Sequence, residues 1–420
     1  MKKVDFFIKK YGFEPQTVTT NFSTKAIGTN YDVKDGFMEF CDNAYDARIK
    51  GSKLVVTINV DNDNHTLSFR DNGTGMDNDV NLFKLGGTDK EKDKDKIGKF
   101  GIGVSGAVSA IATQCVYDKT DLVEVCYKSS RNGHHFEKHV AITPNGDMYL
   151  GKASFSDCNI DEHYTEVTFN NVQVDNIAKI VLSMEETFEY PIQKDMDIIV
   201  NGRRLGQSAD AHRTFNDDIN EKKVSVGEYT VDVKWCIING SKGDKERKLP
   251  EASLRIYDKS SGRLLAKSLR LWKLFGMKEA QQTICGLRTA IFIDSSLESY
   301  KLFGIQPAKN GITLKDYTDK MEFLDLVTEL SKIYNLAAGK NCAKVNIPST
   351  ISYNGVTYFI RQTIDESYGK FIIINDKEID IKKKYSTNDV IELIDDIRVL
   401  KQENKKLKDK LNKKTKSAKA

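Results

Sequence analysis

The stretch FMEFCDNAYDAR, residues 37–48, decides how this chain is read. Phe37, Phe40, Ala44 and Ala47 recur every three or four residues, which predicts a helix. Asp35 is placed to cap its start and Gly51 to end it. Glu39, Asn43 and Asp46 stand at i, i+4 and i+7, so at about 100° per residue they share one ridge of that helix. Taken alone, such a ridge is a solvated face. The meaning of a carboxylate, an amide and a second carboxylate in line depends on the segments that follow.

Two Gly-bearing segments and a charged loop follow in order. FRDNGTGMD (69–77) reads as a strand ending in Asp71, then a sharp turn through Gly73 and Gly75 to Met76. Glycine lets backbone adopt positive φ and approach a flat ligand closely, and a carboxylate at the strand end can accept from an exocyclic amine such as adenine N6. GGTDKEKDKDKIGK (86–99) suits a mobile lid or a plain solvated loop. GKFGIGVSGA (98–107) contains Gly101-x-Gly103-x-x-Gly106, formally a dinucleotide fingerprint, but no strand precedes it and no βαβ unit surrounds it. A Rossmann reading is therefore rejected. Gly-rich backbone feeding a helix at 104–114 still offers free N–H groups and a helix dipole to an anion. GxxxxGK[ST] is absent, so this is not a Walker loop.

Composition sets the frame. A chain of 420 residues with 39% hydrophobic content can bury a core in two domains or more. The net charge of +4 is uneven: residues 401–420 hold nine Lys against Glu403 and Asp409. That basic end can touch phosphates or serve as a soluble terminus, while the rest of the chain is close to neutral. Seven scattered Cys without a CxxC predict reduced thiols in a cytoplasmic protein rather than a zinc ribbon or a disulfide framework. No apolar run approaches 18 residues, so no membrane span is expected. In HHFEKH (134–139), His135 and His139 would share a face of a helix, yet VEVCYKSS-RNG-HHFEKHVAI reads as a hairpin turning at Asn132-Gly133, with no third ligand in view.

Further along, KLVVTINV (53–60) and HTLSFRD (65–71) read as a hairpin, 77–85 as a short helix, 122–128, 135–142 and 164–169 as strands, 174–186 as a helix and DIIVNGRRLG (197–206) as strand-turn-strand. The chain turns polar over 206–224, a boundary. Strands EYTVDVKWCII, SLRIYDK, RLLAKS and LRTAIFID follow, then FGIQPAKNGITL and a helix, DKMEFLDLVTELSKIYN. Short strands fill 345–383. Val390, Leu393, Ile397, Leu400, Asn404, Leu407 and Leu411 keep heptad spacing, with Leu at each d and Asn404 at a, which favours a parallel two-stranded coil over a helix docked on its own protein.

Glu39-x-x-x-Asn43-x-x-Asp46, Asp71-x-Gly73-x-Gly75 and Gly98-x-x-Gly101-x-Gly103, in this order, resemble the GHKL ATPase superfamily of DNA gyrase B, MutL, MORC proteins, ninety-kilodalton heat-shock chaperones and histidine kinases. EFCDNAYD looks most like the MORC and MutL forms, and FGIQPAKNGITL resembles the transducer strand of MutL. The resemblance implies an α/β fold: a GHKL (Bergerat) ATP-binding domain over 1–205, with an N-terminal arm at 1–30 and a mixed sheet covered by helices on one face. A transducer-like α/β domain over 206–340, a small β unit at 341–385 and a coiled coil with basic tail at 386–420 would follow. It implies ATP and Mg²⁺ as ligands, with Glu39 as the general base, Asn43 holding Mg²⁺, Asp46 orienting the site and Asp71 reading the adenine amine. Gly73, Gly75 and Met76 would line the nucleotide, and Gly98, Lys99, Phe100, Gly101, Ile102 and Gly103 would wrap the triphosphate. Lys309 would reach the γ-phosphate from the second domain. Function is expected to be a Mg²⁺-dependent ATPase whose ATP-gated homodimer clamps nucleic acid; a chaperone-like remodelling ATPase and an ATPase subunit of a larger system are the alternatives. Strand cleavage is not expected, since no endonuclease signature is present.

Overall fold

The computed structural model describes residues 9–10, 12, 14–15, 31–76, 82, 96–97, 103–143, 146–206, 219–237, 253–268, 287–305, 309 and 321–337, and the backbone of four strands between 349 and 381. The short helix expected at 77–85, most of the 86–99 loop, the arm at 1–30 beyond its few described positions, and the coil and tail at 386–420 lie outside these residues. The chain forms two compact units, one of residues 1–271 with 284–313 and the other of 272–283 with 314–420.

In the first unit, β1 (Glu14–Pro15) precedes helix α1 (Val33–Asp46), strands β2 (Leu54–Asp61) and β3 (Thr66–Asp71), and helix α2 (Gly103–Gln114). Next come β4 (Val123–Arg131), β5 (His134–Ile142), β6 (Met148–Leu150), β7 (Ser154–Asp157) and β8 (Tyr164–Asn170). Helices α3 (Ile177–Thr187) and α4 (Glu189–Lys194) lead to β9 (Met196–Val200) and β10 (Arg203–Arg204). The strands form one mixed sheet in the order β1-β6-β5-β4-β8-β3-β2-β9-β10, with β7 added on β5. Within it β2 and β9 run parallel, as a crossover through helices allows, and the hairpins are antiparallel. The β4–β5 hairpin turns at Asn132 and Gly133, both at positive φ, as its Asn-Gly predicts.

Strand alternation divides the sheet into two faces. Val56, Ile58, Leu67, Phe69, Val125, Tyr127, Val167 and Phe169 form one core with Phe37, Phe40, Cys41 and Ala44 of α1 and Ala107, Val108 and Ile111 of α2. Phe40 stacks on Phe69 with ring centroids 4.5 Å apart, and Phe37 meets Phe69 edge-on at 4.9 Å. Glycines let α2 pack closely on α1 and on the residue just ahead of it: a Cβ on Gly36 would meet Ile111 at 3.1 Å, and one on Gly106 would meet the Tyr31 ring at 2.8 Å.

A second sheet in the same unit contains β11 (Asn220–Val226), β12 (Tyr229–Ile237), β13 (Ser253–Asp258), β14 (Leu264–Ser268) and β15 (Leu287–Ile293), in the order β11-β12-β15-β13-β14. β11 corrects the reading of 206–224 as a boundary throughout. Its exposed Glu221, Lys222 and Lys223 belong to an edge strand, where charged side chains discourage pairing with other chains. Helix α5 (Leu297–Leu302) follows β15. The second unit contains α6 (Leu324–Ala337) and an antiparallel four-stranded meander of β16 (Ser349–Tyr353), β17 (Val356–Asp365), β18 (Gly369–Ile374) and β19 (Lys377–Ile381). Among the described residues, no helix is long and apolar enough to cross a membrane.

Candidate active site

Helix α1 starts one turn earlier than its periodicity suggests. Asp32 is the cap: its Oδ1 accepts from the Asp35 N–H at 2.8 Å, and the Asp35 carboxylate accepts from the Asp32 N–H at 3.1 Å. The reciprocal pair satisfies two otherwise orphaned donors, so Asp35 completes the cap rather than supplying it. The helix also ends at Asp46, ahead of Gly51.

Of the polar ridge, Glu39 is buried and Asn43 and Asp46 are half-buried. Glu39 is 7% exposed, and the Asn43 Nδ2 donates to the Glu39 carbonyl at 2.9 Å, which fixes the orientation of the amide one turn away. Asp46 Oδ1 accepts from the Ile97 N–H at 2.6 Å. Asp46 thus ties the end of the charged loop, one residue ahead of Gly98, to the helix that carries Glu39. Gly98, Lys99, Phe100, Gly101 and Ile102 lie outside the described residues. Gly103 opens α2 directly against Glu39, where a Cβ would fall 1.7 Å from Glu39 Oε1. Any side chain there would have to displace the Glu39 carboxylate, so glycine keeps that carboxylate against the positive end of α2.

The turn after β3 is pinned from three directions. The Thr74 N–H donates to the Ala47 carbonyl at 2.6 Å, the Met76 N–H to Ser129 Oγ at 2.8 Å, and the Gly73 N–H to Asp71 Oδ1 at 2.8 Å. Gly75 has φ +63°, and an added Cβ would lie 2.0 Å from the Ser130 carbonyl oxygen. Burial pushes the Asp71 carboxyl up to about 6, against the opposing pull of the Gly73 and Thr165 N–H groups and Arg70.

Lys309 comes from far along the chain to the same place. Its Nζ lies 2.7 Å from Asp42 Oδ2 and 3.4 Å from Glu39 Oε2. Burial opposes its charge, but Asp42 and then Glu39 more than compensate, so its pKa ends above the ordinary lysine value. The backbone of Lys309 is left-handed at φ +53°, a costly conformation for a side-chain-bearing residue, and it aims the ammonium inward. Arg263 donates through Nε to the other oxygen of Asp42 and through Nη1 to the Leu264 carbonyl at 2.6 Å. The β13–β14 turn that presents Arg263 is built on Asp258, which accepts from the Ser261 N–H at 2.7 Å and from Tyr300 Oη at 2.8 Å.

Residues 31–165 match the family model described as histidine kinase-, DNA gyrase B-, and HSP90-like ATPase. The chain carries a GHKL ATPase domain. A 94-residue segment is 38% identical to the chaperone protein HtpG of Anaplasma phagocytophilum (strain HZ), a match that spans 19% of this chain and only 14% of that chaperone. Among solved structures, the ATPase region of Saccharomyces cerevisiae topoisomerase II is 14% identical with a TM-score of 0.41, over 71% of this chain and 84% of that one. The ATPase and transducer domains of topoisomerase II from Balamuthia mandrillaris are 15% identical with a TM-score of 0.40, over 72% and 84%.

The structure brings Glu39, Asn43 and Gly103 of this domain together with Lys309 from further along the chain, and Asp46, on the same helix as Glu39, bonds Ile97. Asp71, Gly73, Gly75 and Met76 form the pinned turn at the end of β3. Sequence reasoning missed Asp42 and Arg263. Asp42 is 0% exposed and bridges two cations that arrive from beyond residue 260. An Asp one residue ahead of Asn43 carries no local signal of that role.

Proposed function

We propose that the chain is a Mg²⁺-dependent ATPase in which Glu39 is the general base and Lys309 senses the terminal phosphate. The observation that carries the reading is the burial of Glu39, Asp42 and Lys309 in one charge cluster beside Gly103, the first residue of α2. The residues fit an adenine nucleotide: the start of α2 at Gly103 would offer its dipole to an anion, and Asp71 stands at a strand end whose glycines pack where a Cβ would meet backbone oxygens. Asn43 would hold Mg²⁺, which neutralises charge on the phosphates. Glu39 would take a proton from an attacking water, Asp71 would accept from the adenine amine, and Lys309 would exchange its carboxylate partners for phosphate oxygen. Gly98 to Ile102 would close over the triphosphate with the 86–99 lid.

The proposal extends to an ATP-gated homodimer acting on nucleic acid. The heptads at 390–411 would hold two chains together, the 206–340 region would act as transducer, and the arm at 1–30 would join the nucleotide-dependent contact. The basic end at 401–420 supports a phosphate-bearing partner. A protein-remodelling role is the second reading, favoured by the stretch shared with the chaperone HtpG.

The test is ATP turnover by purified full-length protein, with and without DNA. Glu39→Ala is expected to lower turnover by about 10²–10⁴-fold while binding of an ATP analogue persists; retained turnover removes Glu39 as the base. Stimulation by DNA that weakens with salt supports the clamp, and its absence alongside stimulation by unfolded protein supports the remodelling reading.

A further inference from the structure

The sheet face turned away from α1 and α2 carries a second cluster of chemically capable side chains. In the β4–β5 ladder Cys126 stands opposite His139 and Lys128 opposite Glu137, while Glu124 lies two residues before Cys126 on the same face. Cys126 Sγ, a Glu137 carboxylate oxygen and a His139 ring nitrogen all lie within 4.8 Å of one another. His139 Nε2 is 2.7 Å from Glu137 Oε1, Cys126 Sγ is 3.6 Å from the same oxygen, and His139 Nδ1 is 2.9 Å from Glu124 Oε1.

We propose that Cys126, Glu137 and His139 form a site for a zinc-class divalent transition metal, with Glu124 orienting the histidine. The donor set is one thiolate, one imidazole and one carboxylate, which suits Zn²⁺ and disfavours Mg²⁺ and Ca²⁺. Tetrahedral zinc with ordinary bond lengths spaces its donors about 3.3–3.7 Å apart. The sulfur–oxygen separation of 3.6 Å already meets that spacing. The nitrogen–oxygen separation of 2.7 Å is that of a shared proton, and a metal replacing the proton would open it by about half an ångström. On binding, the Cys126 thiol and His139 Nε2 each release a proton to solvent and donate the freed electron pair to the metal. Glu124 accepts from His139 Nδ1–H, the carboxylate–histidine arrangement that fixes tautomer and ring orientation at metal sites. The His135 ring is held apart by Ser130 Oγ at 3.0 Å and takes no part. Three protein donors leave the fourth position to water or to an external ligand.

The measurement is Co²⁺ titration of the metal-stripped full-length protein, followed by displacement with Zn²⁺. One equivalent per chain is expected, with a near-ultraviolet thiolate-to-cobalt charge-transfer band. Cys126→Ser should abolish the band and His139→Ala should weaken binding at least 100-fold, while Glu124→Gln should weaken it about 10–100-fold with the band retained. Absence of stoichiometric binding overturns the proposal, as does a band that survives in C126S or an affinity unchanged in H139A. X-ray absorption on zinc-loaded wild-type protein needs no variant to fold: one sulfur with nitrogen and oxygen donors is expected, and no sulfur, or more than one, overturns the site.

Discussion

Lys309 Nζ and Asp42 Oδ2 lie 2.7 Å apart, joining positions 267 residues apart in the chain. Asp42 is shared with Arg263, so one carboxylate without exposure compensates two buried cations. Removing it leaves Arg263 without its carboxylate and Lys309 with Glu39 alone in a low-dielectric interior, which costs far more than the pair contributes. Asp42→Asn is expected to destabilise the protein by about 3–5 kcal/mol in denaturant unfolding. Lys309→Ala is a different experiment, since Asp42 keeps Arg263. Its expected effect is a loss of turnover of about 10²–10³-fold, the size seen when one charge-stabilising donor is removed. An unchanged rate would take Lys309 out of the proposed chemistry.

Gly51, in the loop between α1 and β2, and Gly75, in the turn after β3, are expected to differ sharply in tolerance. Gly51 has φ +83° with open space around its missing Cβ, so Gly51→Ala pays only for the left-handed backbone, about 1 kcal/mol. Gly75 has φ +63° and the Ser130 carbonyl oxygen 2.0 Å from where a Cβ would stand. Gly75→Ala must move β4 or the turn, and a loss of more than about 3 kcal/mol, together with loss of nucleotide binding, is expected. Equal thermal stability of the two variants would contradict the packing described for this turn.

Protonation of Asp71 should act on affinity and stability in opposite directions. Its folded pKa, about 6, is raised above the ordinary carboxylate value of 3.8. Its contribution to stability is therefore fully present below the unfolded value and is lost as pH rises through about 6. Reading an adenine amine needs the ionised carboxylate, so adenine-nucleotide affinity should fall as pH drops through the same region. Calorimetric titration of an ATP analogue between pH 5 and 8 checks this, and Asp71→Asn should remove the step.

Glu189 supplies a stability switch outside the candidate site. Burial raises its carboxyl to about 7, with Arg255 and then the Tyr257 hydroxyl pulling the other way. The nearest guanidinium nitrogen is 3.8 Å away, and Tyr257 Oη donates at 3.1 Å. The sign is that of a raised carboxylate: stability is complete below the unfolded value and declines as pH rises through about 7. Glu189→Gln should match wild type only below the unfolded value of 4.5 and exceed its thermal stability at pH 8. A variant less stable than wild type at pH 8 would show that Arg255 depends on the charge.

Much of the fold was legible because its signals are local. Strand-like runs marked β2–β5, β8–β10 and β12–β15 but not the short β1, β6 and β7, Asn132-Gly133 marked a hairpin, and the spacing of Phe37, Phe40 and Ala44 marked the helix that holds Glu39. Polar β11 was not legible as a strand, because an exposed edge with Lys222 and Lys223 carries no apolar alternation. The cap was misplaced by one turn because Asp32 and Asp35 both suit the position, and only backbone geometry distinguishes donor from acceptor in a reciprocal pair.

The sequence by itself determined that a carboxylate and an amide stand one helical turn apart ahead of two glycine turns, since helical spacing and glycine's conformational freedom are properties of short segments. Only the tertiary structure decided what surrounds them. Asp42 acquires its two cations, Glu39 its bare Gly103 neighbour, and Cys126 its partners across the strand through contacts between segments remote in the chain or on facing strands. Coulomb interaction and desolvation depend on distance in space, and no residue spacing encodes that distance until the chain has folded.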